Sequence, residues 1–121
     1  TPGYTFNCEF LPPGIFAKAP GAGPIAEVFI IGHFDDDDAA TTAKDYQQYL
    51  TLHGLDYTLK HRPNRRIYWW AKDPDQGRVI CSRYKNYVVG VVRPKSYEMG
   101  EALLERLIDR IAQDRPTGWH K

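Results

Sequence analysis

His33, Asp35, Asp36, Asp37 and Asp38 are the residues whose types and spacing come closest to a chemical site. His33 and Asp35 stand two apart at the expected end of a strand, where both side chains could point to one side. Carboxylates with an imidazole hold hard divalent ions such as Mg, Ca or Mn. A small metal-dependent hydrolase centred on His33 and Asp35 is therefore one function to weigh. The run lacks the glycine and distal glutamate that a calcium loop requires. Four aspartates are also what a helix start selects, because they accept orphan amide hydrogens and face the positive end of the helix dipole. Capping explains the run with fewer assumptions, and no metal site is read from it.

The second set is basic and aromatic. Lys60, Arg62, Arg65 and Arg66 precede Tyr68, Trp69 and Trp70. Cations beside exposed aromatic rings bind single-stranded nucleic acid by phosphate pairing and base stacking. Against that reading, the net charge is +1 and the pI about 7.7, short of the basic footprint of a nucleic-acid domain. Adjacent Trp69 and Trp70 must also face opposite sides of a strand, so at most one could stack on a ligand from an open face.

Cys8 and Cys81 are the only cysteines. An even count fits one disulfide in an exported protein, and equally two unrelated buried thiols in a cytoplasmic one. The chain begins at Thr1 rather than Met. Together these features lead us to expect export, to the periplasm or the extracellular space, with Cys8 bonded to Cys81. The histidines fall in no zinc-binding spacing, and Ser82 and Ser96 lack the glycine-flanked turn of a hydrolase nucleophile. Gly21-Ala22-Gly23-Pro24 lacks the lysine and hydroxyl of a phosphate loop. No catalytic residue and no cofactor are assigned.

The elements that carry these residues follow from hydrophobic spacing. Residues 1–24 form an apolar arm broken by proline and glycine, residues 25–115 one domain, and residues 116–121 a short tail. Glu27 to Phe34 reads as a central buried strand. A helix is expected from about Asp37 to His53, with Gly54 as a left-handed cap. Strands follow at Leu55 to Arg62, Ile67 to Ala71, Arg78 to Tyr84 and Tyr87 to Val92, separated by turn residues. A second helix runs from about Tyr97 to Gln113, with Leu103, Leu104, Leu107, Ile108 and Ile111 as its apolar stripe. The expected fold is α+β: a mainly antiparallel sheet of about five strands with two amphipathic helices, in the order arm-β-α-β-β-β-β-α, as a two-layer sandwich. No apolar run is long enough for a membrane helix.

Charge is laid out unevenly along this framework. Residues 1–59 carry eight acids and two bases, whereas residues 60–95 carry ten bases and two acids. Two such blocks attract opposite partners, or each other. The expected function is that of a non-enzymatic accessory or assembly subunit that binds a protein partner or itself. The contact residues expected for it are Tyr4, Phe6, Phe10, Phe16, Arg62, Arg65, Arg66, Trp69, Trp70 and Trp119. A nucleic-acid or polyanion binder using the basic strand region is the alternative.

Overall fold

A computed structural model describes residues 15–63 and 66–113. Its element order is β1 Ile15–Lys18, β2 Glu27–Gly32, α1 Asp36–His53, β3 Leu55–His61, β4 Ile67–Asp73, β5 Gly77–Tyr84, β6 Tyr87–Val92 and α2 Tyr97–Gln113, with a 3-10 turn at Pro20–Ala22. The strands form one antiparallel sheet in the order β1-β2-β6-β5-β4-β3. The sheet has six strands rather than about five, because part of the arm joins it. Ile15–Lys18 pairs with β2, from Ile15 opposite Ile30 to Lys18 opposite Glu27. Ala19, Ala22 and Ala26 then pack into the core. The Lys95 amide donates to the Ala22 carbonyl at 2.7 Å, which ties this connection to the approach to α2.

The two helices lie on opposite faces, so the molecule has three layers and not the two expected. One face of the sheet presents Phe29, Ile31, Trp69, Ala71, Val79, Cys81, Val88 and Val92 to Ala39, Ala43, Tyr46 and Leu50 of α1. The other presents Tyr68, Ile80, Val89 and Val91 to Leu104 and Ile108 of α2. Alternation along each strand sends neighbouring residues to opposite faces, so apolar residues stand at consecutive positions in β5 (Val79, Ile80, Cys81) and in β6 (Val88 and Val89, Val91 and Val92). Burial of a side chain such as Leu104 or Phe29 contributes about 1.5–3 kcal/mol.

Local chemistry sets the ends of α1. An Asp35 carboxylate oxygen accepts from the Asp38 amide at 2.9 Å, and Asp36, Asp37 and Asp38 occupy the first turn. At the other end the Gly54 amide donates to the Leu50 carbonyl at 2.8 Å. Gly54 is not left-handed, since its φ is −85°. It is needed for space: a Cβ there would lie 2.7 Å from the Leu50 oxygen and 2.9 Å from the Lys72 oxygen. The left-handed residue is Asp56, at φ 58°, inside a bulge between Leu55 and Thr58. Ser96 caps α2 by accepting from the Met99 amide at 3.1 Å.

A row across the α1 face reads Phe29, Gly90, Cys81, Trp69, Leu59. Gly90 carries no side chain because the Phe29 ring lies over it, close to the Cys81 sulfur. Phe34, expected inside the first buried strand, lies beyond the end of β2 and is 96 % exposed.

Candidate functional site

The basic strand block meets α2. Arg62 donates to Glu101 Oε1 at 2.6 Å, and Trp70 Nε1 donates to the same oxygen at 3.1 Å. Arg66 pairs with Asp109 at 2.8 Å. Trp70 stacks on Tyr97, with ring centroids 4.8 Å apart and planes 7° apart, and the Lys60 ammonium sits 4.8 Å from its ring centre. The hydrogen bond from Arg62 to Glu101 raises the guanidinium's already high pKa. Arg62 and Arg66, in the connection between β3 and β4, are thus met within the chain by acids of α2. The aspartates of α1 are not the ones that meet them.

This arrangement changes the roles of several expected contact residues. Trp69 is 2 % exposed and packs beneath α1, so it serves the core and cannot reach a partner without rearrangement. One face of Trp70 is taken by Tyr97. Phe16 lies on β1 and is partly exposed, its ring centre 6.1 Å from that of Phe29. Tyr4, Phe6, Cys8, Phe10, Arg65 and Trp119 lie outside the described residues. Cys81 has no disulfide partner among the described residues and is fully buried under α1. Burial, with the charge of Asp73 adding, pushes its pKa well above the usual thiol value.

The His33 backbone and the Asp35 side chain make structural bonds. The His33 amide donates to Asn86 O at 2.8 Å, and Asn86 Nδ2 donates back to His33 O at 2.7 Å. Asp35 caps α1. Among the described residues, no three histidine, cysteine or acidic side chains converge as a metal-binding group. Among them, too, no helix is long and apolar enough to cross a membrane.

Two surfaces stand out that residue spacing did not mark. The first is β3, at the edge of the sheet, where one side of its backbone ladder has no neighbouring strand among the described residues. Leu55 is 65 % exposed and Leu59 43 %, with Leu52 and Ile67 exposed nearby on α1 and β4. Leu55, Tyr57, Leu59 and His61 alternate with polar residues, the pattern of a half-buried strand. Only Tyr57 packs against the α1-side core, where its hydroxyl meets Gln47 Oε1 at 3.3 Å.

The second surface is a cleft of about 530 Å³ beside α1. Ala40, Ala43, Lys44 and Gln47 of α1 form one wall, and Leu59, Ile67 and Trp69 form the sheet side. Arg66, Arg83, Tyr84 and Lys85 close one end. These cations are scattered through residues 44–85, so no linear motif announces them. The pattern of two exposed leucines on a strand was the available signal for the edge surface.

No family model matches the chain, and no curated protein or solved structure is similar enough to match it.

Proposed function

We propose that this protein is an assembly subunit that works by binding, and that it docks an extended protein segment along the free edge of β3. The observation that carries this reading is the exposure of Leu55 and Leu59 on an edge strand. An unpaired edge offers a row of amide and carbonyl groups to another strand, and proteins usually blunt such edges with charge or bulges. Here the bulge is confined to Leu55/Thr58, and β3 continues to His61 in regular register with β4. Strand addition would draw affinity from main-chain hydrogen bonds and selectivity from alternate side chains. Leu52 and Ile67 add apolar surface alongside, which a partner would remove from water.

The polyanion reading is weakened by the same structure, because Arg62 and Arg66 are engaged by Glu101 and Asp109 and Trp70 by Tyr97. The test of the docking reading is co-purification and cross-linking of the native protein from its source, compared with the Leu55→Glu/Leu59→Glu variant. Both leucines are exposed, so the variant should fold. It should lose a partner that the native protein retains.

A further inference from the structure

We infer that the cleft beside α1 is a binding site for a small organic carboxylate with an apolar body. This goes beyond the docking of a protein at β3: Leu59 and Ile67 border both surfaces, but the cations and amide donors belong to the cleft alone. A volume of about 530 Å³ lies within the roughly 300–1,000 Å³ of ordinary small-molecule sites. Its character is asymmetric. The walls are apolar, from Ala40, Ala43, Leu59, Ile67 and Trp69, while the polar groups that reach it are mainly donors.

Lys44 supplies an ammonium from α1, and Arg83 and Lys85 supply charge from the end of β5 and the turn after it. Arg83 Nη1 donates to the Lys85 carbonyl at 2.7 Å, which fixes the guanidinium at the rim. Gln47 accepts from Tyr57 through Oε1, which leaves its amide hydrogens as donors. Trp69 contributes to the apolar wall, and its indole N–H is buried.

Among the described residues that line the cleft, none is acidic. A cation would find no counter-charge there, and a neutral ligand would leave the donors unsatisfied. A carboxylate would meet Lys44 and Arg83 in charge-assisted hydrogen bonds. Its apolar body would cover Leu59 and Ile67, which are otherwise left to water. Arg66 also lines the cleft but is tied to Asp109, so the site does not depend on it.

The test uses decanoate, decanol and decyltrimethylammonium as probes below their micelle concentrations, with the full chain, by isothermal titration. Saturable one-to-one binding of decanoate is expected, at least about tenfold tighter than either of the others. Lys44→Ala/Arg83→Gln should weaken decanoate by about tenfold or more and leave the melting temperature unchanged, since both side chains lie at the exposed rim. Leu55→Glu, outside the cleft, should leave decanoate binding intact whether or not it abolishes protein docking. Equal binding of decanol and decanoate, unchanged decanoate binding in the double variant, or no saturable binding would overturn the inference.

Discussion

Arg62 on the sheet side and Glu101 on α2 are joined by a 2.6 Å ion pair, and Trp70 shares the same carboxylate oxygen at 3.1 Å. One acid therefore pairs with a guanidinium of the basic stretch and also satisfies an indole donor. The side chain of Glu101 is only 13 % exposed and that of Arg62 34 %, so the pair is shielded more than a typical surface bridge. Removing Glu101 would leave two donors without their acceptor.

Glu101→Ala should accordingly destabilise the protein by about 1–3 kcal/mol, the cost of leaving partly buried donors unpaired. Urea denaturation of the two proteins measures it. Glu101→Ala with Asp109→Ala should also remove the acid partners of Arg62 and Arg66 and lengthen retention on a heparin column, with strong salt dependence. Equal retention of native and variant protein would show that α2 does not mask the basic block.

Gly100→Ala is expected to destabilise, although alanine is the better helix former by about 1 kcal/mol. Gly100 is buried in α2 against Ile80, and an added Cβ would meet the Ile80 side chain and lie 3.1 Å from two Pro94 carbons. Overpacking of this kind costs about 1–3 kcal/mol. A higher melting temperature for the variant would mean that Ile80 and Pro94 yield freely.

Tyr46→Phe isolates the link between α1 and the β4–β5 hairpin. Tyr46 Oη donates to Asp73 Oδ2 at 2.7 Å in a buried setting, while Asp73 Oδ1 accepts from the amides of Asp75 and Gln76. The substitution keeps the ring and removes one charge-assisted bond, worth about 1.5–3 kcal/mol. Chemical denaturation checks it.

Cys81 yields a prediction about both redox state and alkaline stability. Its folded pKa is raised, so the neutral thiol is favoured in the native state. The associated stability is present below the unfolded thiol's pKa of about 8.5 and declines as pH rises beyond it. Cys81→Ala should therefore show a shallower fall in melting temperature above that pH than the native protein. Alkylation and intact mass should find Cys81 unreactive until the chain unfolds, then modified without added reductant. A requirement for reductant would establish the bond to Cys8 and remove the thiol's contribution.

The elements were legible in sequence wherever spacing was strong. Tyr97 to Gln113 and Tyr87 to Val92 match the observed α2 and β6. The layer arrangement was harder, because an apolar stripe reveals that a helix is covered without saying which face of the sheet covers it. A signal was present in Val88, Val89, Val91 and Val92, which are apolar at both parities and buried on both faces. The masking of Arg62 and Arg66 depended on contacts 39 and 43 residues away in the chain, beyond the reach of local pattern. The cleft is non-local in the same way: Lys44 and Arg83 meet only because α1 crosses the sheet from β2 to β3.

The most direct test of the account is capture of a partner at the β3 edge. A photo-crosslinking residue placed at Thr58, which is exposed on β3, would be activated in the native source and the adduct mapped by mass spectrometry. The account predicts a discrete protein adduct whose yield falls sharply when Leu55→Glu and Leu59→Glu are introduced, with circular dichroism unchanged. An adduct of equal yield in the leucine variant, or no protein adduct at Thr58 while a probe elsewhere captures one, would contradict docking at this edge.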